Sequence, residues 1–215
     1  MAWNGFMAPV LAVPPGPGYT GAYFYRTKTP GRRKNMKIEF TLDKEDFLTY
    51  QLFTASNSKT VKMRRMRSWL IIPVLYIITG ILLYYVDNIT LLYAFITIAL
   101  LWLVFYPLYS RGLYRRHYAK HIDEHYKNRL GRSGVLSLDN DALSITDEGS
   151  EGRIKYTEID AVTEIPDYFF VGLKSGMALI LPKAKIGEPA LSQIIETIIQ
   201  KSGAPRNELP DWKWK

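Results

Sequence analysis

The stretch WLIIPVLYIITGILLYYVDNITLLYAFITIALLWLVFYPLY, Trp69 to Tyr109, decides the fold. Trp69 to Val86 carries no charge, and as a helix it rises roughly 27 Å, close to the hydrocarbon thickness of a bilayer. Asp87 and Asn88 interrupt the run, and Ile89 to Tyr109 is again uncharged. A helix that is apolar all round does not suit a surface amphipath and is built to be enclosed by protein or lipid. The two-residue link makes the helices antiparallel neighbours. The expected element is a transmembrane hairpin of 69–86 and 89–109 with a tight external turn, the alternative being a buried hairpin of a water-soluble protein.

Working outward, Lys59, Lys62, Arg64, Arg65 and Arg67 precede the first run, and Arg111, Arg115, Arg116 and Lys120 follow the second. The turn carries no Lys or Arg, so the positive-inside rule puts both long ends of the chain in the cytoplasm. Trp69, Tyr84, Tyr85, Tyr106 and Tyr109 stand near the span ends, where amphipathic rings favour the headgroup region. Neither span holds Asp, Glu, Lys, Arg or His, so the relay that proton-coupled transport needs is missing. Pro73 and Pro107 lie near helix ends, while Thr79, Gly80 and Thr97 read as helix-packing residues.

The net charge of +8 would suggest nucleic acid in a soluble domain, but these cations cluster beside the apolar runs, so no nucleic-acid partner is expected. The chain contains no cysteine, which excludes disulfides, thiolate metal sites and cysteine nucleophiles, and fits a reducing compartment.

Residues 1–35, with VPPGPG at Val13 to Gly18, read as a disordered Pro/Gly-rich extension without the n- and h-regions of a signal peptide, or as an over-extended gene start. Segment 36–68 reads as a cytoplasmic strand and amphipathic helix. Ile38, Phe40 and Leu42 alternate on one strand face, then Asp43 caps a helix with Glu45 and Asp46 at its positive end. Phe47, Tyr50, Leu52 and Phe53 supply its apolar stripe.

Segment 110–131 reads as a basic cytoplasmic helix that continues the second span and stops at Gly131, with Tyr114, Tyr118, Ile122, Tyr126 and Leu130 on one face. His117, His121 and His125 share that four-residue spacing. An adjacent pair has the spacing to chelate a transition metal, but from His117 to His125 the rise is roughly 12 Å, too far for three ligands on one ion. With Arg and Lys interleaved and no carboxylate pattern to orient the imidazoles, the sequence assigns no metal and no cofactor, and the helix face reads as solvated or partner-facing.

From residue 132 the period changes. VLSL, ALSIT, RIKY, DAVTEI, YFFVGL and MALILP are alternating or β-branched runs split by turn residues, an antiparallel meander of about six strands. Leu191, Ile194, Ile195, Ile198 and Ile199 give a closing amphipathic helix over Glu188 to Lys201. Together 132–203 reads as a small antiparallel β domain of pleckstrin-homology (PH) type closed by a C-terminal helix. The tail 204–215, ending in Trp212 and Trp214 alternating with lysines, reads as unstructured or membrane-touching.

An opening such as IEFTLDKEDFLTYQLF, a two-helix hairpin, then LGRSGVLSLDNDALSI, IKYTEIDAV, DYFFVGL and ALILPKAKI resembles the bacterial YcxB-like membrane protein family over roughly Met36 to Ser202. The most suggestive pieces are DYFF at Asp167 to Phe170 and ILPK, which ends at Lys183. Tyr156 stands where the family leads one to expect Trp, and Ala184 where a basic-aromatic continuation is expected. The resemblance implies a bacterial inner-membrane, multi-pass architecture, with function only by analogy.

Ser137, Asp139, Asp141 and Asp160 fall at turns and strand ends, where local hydrogen bonding is their ordinary role, and GRSG at Gly131 to Gly134 lacks the lysine of a phosphate-binding loop. No enzyme is expected. The expectation is an α+β membrane protein that presents a PH-like binding or scaffolding module at the cytoplasmic face, with anionic inner-leaflet lipids, a protein partner or a second copy as partners. The alternative is an accessory subunit of a larger membrane complex that acts through its transmembrane helices.

Overall fold

A computed structural model describes residues 36–127, 130–147 and 151–214, so the extension expected over 1–35 lies outside the described residues. The chain divides into two compact units, one of Met1–Asp46 with Asn128–Trp212, the other of Phe47–Lys127 with Lys213–Lys215. The fold is mixed α+β, with two long apolar helices and two sheets whose pairings are antiparallel except for one.

In the first unit β1 (Lys37–Thr41), β2 (Ser133–Leu138), β3 (Ala142–Asp147) and β4 (Glu151–Lys155) form one antiparallel sheet in that order. The second sheet runs β7-β6-β5-β8, built from β5 (Ile159–Ile165), β6 (Tyr168–Leu173), β7 (Ala178–Pro182) and β8 (Arg206–Glu208). The six expected runs are all strands, but they form two three-strand meanders separated by a 3-10 turn at Tyr156–Glu158.

Each meander gains a strand from elsewhere in the chain. β1 sits antiparallel to β2, Lys37 opposite Ser137 and Thr41 opposite Ser133, so the strand read as part of a separate lead-in belongs to the β domain. Its alternation is satisfied there, since Phe40 enters the core and its backbone gains ladder partners. β8 lies parallel to β5, with Val162 opposite Arg206 and Glu164 opposite Glu208. Part of the tail read as unstructured or membrane-touching is therefore a sheet strand, anchored by the Leu209 N–H donating to the Glu164 carbonyl at 2.8 Å.

The short helix α4 (Lys183–Ile186) leads into α5 (Glu188–Ser202). Leu191, Ile194, Ile195 and Ile198 of α5 are at most 1% exposed and pack with Phe40, Leu136, Leu143, Val162, Val171 and Leu181. Burying each contributes about 1.5 to 3 kcal/mol before entropy. Gly203 ends α5 in the left-handed region at φ 67°, its N–H donating to the Ile199 carbonyl.

The helices of the second region are α1 (Lys44–Asn57), α2 (Lys59–Tyr84) and α3 (Ile89–His125). The Asp43 N–H donates to Asp46 Oδ2 at 2.6 Å, so Asp46 reaches back over the first turn of α1 as in a capping box. Ser58 starts a new helix, its Oγ accepting from the Val61 N–H. The consequence is that α2 begins at Lys59 and carries the basic run on its own first turns, ahead of Trp69. The turn is closed by Asp87 at φ 57°, a conformation Asp tolerates, and by the Asn88 side chain, which accepts from the Leu91 N–H at 3.3 Å.

α3 is one uninterrupted helix through the apolar run and the basic segment, and it stops at His125 rather than at Gly131. Gly131, at φ 74°, instead turns the chain into β2, its N–H donating to the Leu42 carbonyl at 2.9 Å. Tyr126 follows α3 directly and stacks on Phe47 of α1 with centroids 5.6 Å apart.

Candidate functional site

Two groups of residues singled out by the sequence occupy separate units. The first is the hairpin. Both α2 and α3 are long and apolar enough to cross a membrane, and only 11% and 6% of their most apolar stretches are buried. Gly80 packs closely against the opposite helix: a Cβ there would lie 3.2 Å from Phe95 Cβ and 3.4 Å from Leu92 Cδ1. Thr79 and Thr97 are exposed, and each hydroxyl donates to a carbonyl of its own helix, Leu75 at 2.9 Å and Tyr93 at 2.8 Å. Of the three expected packing residues, Gly80 lies against the opposite helix.

Trp69 also ties the two helices together. Its Nε1–H donates to the Leu103 carbonyl across the hairpin at 3.0 Å. Leu103 lies four residues before Pro107, which has no N–H to offer that carbonyl. Tyr106 packs against Trp102 at 5.2 Å, Tyr84 meets Tyr85 edge-on, and Tyr85 and Tyr109 are exposed. Trp102 Nε1 is buried without a hydrogen-bond partner.

The basic ends of α2 and α3 converge on a small cluster that the sequence did not announce. Arg65 of α2 donates to the buried Ser110 hydroxyl of α3 at 3.4 Å, and its guanidinium stands 5.7 Å from the Tyr114 ring centroid and 5.2 Å from that of Trp214. Trp214 is 8% exposed, and its Nε1–H donates to the Arg111 carbonyl at 3.2 Å. The available signal in the sequence was composition, Trp214 set between two lysines in the tail. Lys59, Lys62, Arg64, Arg67, Arg111, Arg115 and Arg116 are exposed on the same two helices. His117, His121 and His125 follow along α3, with the His121 and His125 rings 4.3 Å apart and His117 against Tyr118 at 5.7 Å. Among the described residues no group of three or more His, Cys, Asp or Glu is placed to hold a metal ion.

The second group is the pair of family-like motifs in the β unit, and both are tied up in ion networks. In DYFF, Tyr168 donates its hydroxyl to Asp46 Oδ1 at 3.0 Å. In ILPKAKI, Lys185 bridges Asp46 at 2.6 Å and Asp43 at 2.7 Å, with the Thr41 carbonyl at 3.2 Å. Burial pulls the Lys185 ammonium down, but its bonds and attraction to Asp43 and Asp46 outweigh this and hold it above its ordinary value. Lys183 bridges Glu164 at 2.7 Å while lying 4.8 Å from the Phe169 ring centroid, and Arg206 holds the other Glu164 oxygen at 2.6 Å. Burial pushes the Glu164 carboxyl up, and the bonds from Lys183 and Arg206 overcome that and keep it below the usual range. Chemically these are staples: they join β1, the first turn of α1, β5, β6, α4 and β8.

Tyr156, at the place where Trp was expected, is 4% exposed, with its hydroxyl donating to the Asp139 carbonyl at 3.1 Å and the Lys201 ammonium 5.0 Å from its ring centroid. Burial, with Asp139 and Asp141 nearby, pushes its phenol up. The smaller ring keeps a buried aromatic with a satisfied polar atom.

Residues 138–198 match the family model described as YcxB-like protein. No curated protein and no solved structure matches the chain. The match begins at Leu138, the last residue of β2, and ends at Ile198 in α5, taking in DYFF and ILPK but not β1, β8 or the hairpin. Over those residues the chain carries a YcxB-like domain.

Proposed function

We propose that the chain is a multi-pass protein of the bacterial inner membrane, with α2 and α3 crossing the bilayer and both termini in the cytoplasm. The observation that carries this is the exposure of the hairpin: few residues of its apolar stretches are buried by protein, and so large an exposed apolar face is unfavourable in water. In the bilayer the two helices satisfy their backbone internally, as spanning segments must. The Lys and Arg of the first turns of α2 and of residues 111–120 of α3 then sit at the inner leaflet, each contributing about 1 kcal/mol of attraction to anionic lipid.

The first unit, two packed sheets closed by α5, supports a PH-like module acting in binding or scaffolding rather than catalysis. Its motif residues serve internal staples, so the surfaces left for a peptide or headgroup are the sheet edges and loops. The reading as an accessory subunit that packs into a larger complex through Thr79, Gly80 and Thr97 is less supported. Gly80 is in contact within the hairpin, and both threonine hydroxyls bond their own helices.

Alkaline carbonate extraction of membranes from expressing cells tests the anchor. Retention of the full chain in the pellet is expected, and release to the supernatant contradicts the anchor. Affinity capture from native membranes, comparing the full chain with one lacking Ser133 to Lys215, tests the module. Partners lost with the β unit support it, and partners kept point to the helices.

A further inference from the structure

The histidine stripe of α3 has a geometry that its spacing alone did not give. His121 and His125 are four residues apart on one helix face, their ring centroids 4.3 Å apart and their planes 33° from parallel. His125 Nδ1 lies 3.1 Å from the His121 carbonyl oxygen. A carbonyl only accepts, so Nδ1 carries the hydrogen of this bond and Nε2 is the nitrogen left to bind a metal. A backbone carbonyl that fixes the tautomer of a histidine in this way is the common orienting partner of metal-ligating imidazole. His121 also meets Tyr126 edge-on, with centroids 6.1 Å apart, and Tyr126 is itself stacked on Phe47.

From these positions we infer that His121 and His125 form a two-imidazole site for one divalent transition-metal ion, of the class Cu2+, Ni2+ or Zn2+. Two nitrogens each about 2 Å from one ion stand about 3 Å apart, a separation that rings this close reach by small rotations. His117 is excluded: it lies one turn back, and its ring is turned to Tyr118. Glu124 pairs with Lys120 at 3.7 Å on the exposed helix surface, and water fills the coordination positions that the two imidazoles leave open. The site sits in the last turn of α3, where the negative end of the helix dipole favours a cation. The bound ion clips that turn by bridging residues four apart.

The test uses the full chain in detergent or lipid nanodiscs, purified without a histidine tag, titrated separately with Cu2+, Ni2+ and Zn2+ and read by calorimetry. One ion per chain is expected, with Cu2+ the tightest of the three. His121→Ala and His125→Ala should each weaken binding at least tenfold, while His117→Ala changes it less than twofold. His125→Gln guards against a trivial loss of structure, because it keeps the size and polarity of the position without the imidazole and should weaken binding equally. Absence of saturable binding, or equal weakening by His117→Ala, overturns the site, as does unchanged affinity in either of the two central variants.

Discussion

The indole N–H of Trp69 supplies to Leu103 the hydrogen bond that Pro107 withholds. The two atoms are 3.0 Å apart and belong to opposite helices of the hairpin. A carbonyl left without a donor among apolar side chains is costly, so Trp69 acts on α3 as a replacement for the missing helical donor. Trp69→Phe should destabilise the full chain by about 1 to 2 kcal/mol, measured by denaturant unfolding in detergent micelles. In a Pro107→Ala background the residue at 107 regains an N–H, and the cost of Trp69→Phe should fall toward zero. An undiminished cost in that background would mean that Trp69 contributes by packing alone.

Gly80 and Gly112 predict opposite signs. A side chain at Gly80 meets Phe95 Cβ, an atom fixed to the backbone of α3, at 3.2 Å, whereas nothing lies within 4 Å of a Cβ at Gly112. Gly80→Val should therefore push α2 from α3 and cost about 1 to 3 kcal/mol. Gly112→Ala should gain about 0.5 to 1 kcal/mol from helix propensity alone. The same unfolding measurement reads both, and a neutral Gly80→Val would remove Gly80 from the helix contact.

The staples of the β unit set a pH dependence. The Glu164 carboxyl titrates below its ordinary value of 4.5 in the folded chain, so the folded state is favoured while the carboxylate is charged. That stabilisation is full above the unfolded pKa and is lost as pH falls through the lower folded value. Glu164→Gln should lose most of this acid limb between about pH 4.5 and the folded value below it, while destabilising the chain at neutral pH. Lys185 works at the other end: its ammonium titrates above 10.5, so its contribution is complete below that and lost as pH rises through the folded value. Circular dichroism melts of the full chain across pH separate the two limbs.

The local parts of this fold were readable from residue order. Alternation located the six strands, helical spacing located α5, and two uncharged runs located the hairpin, because each signal lies within a window of a few turns. What escaped was long-range. Nothing near Lys37 indicates that it will face Ser137, and nothing near Asp46 indicates Lys185, 139 residues away. β8 was hidden because Arg206 to Glu208 is a short polar run with no alternation to read. The basic residues of the hairpin ends were visible as a cluster, but the buried position of Ser110 beside Arg65 was not, since its neighbours in sequence are exposed. The end of α3 was misplaced because Gly131 suits both a helix stop and a turn into a strand, and its bond to Leu42 selects the second.

The central claim is that α2 and α3 cross a bilayer with the β unit on the inner side. The chain has no cysteine, so single introduced cysteines report position without background. Val86→Cys places a thiol beside the turn, at a residue 75% exposed, and Lys174→Cys places one in the exposed turn between β6 and β7. Labelling with a membrane-impermeant maleimide on intact spheroplasts should modify Val86→Cys at once and Lys174→Cys only after permeabilisation. If both thiols stay protected until the membrane is opened, or both react in intact spheroplasts, the hairpin does not cross as described.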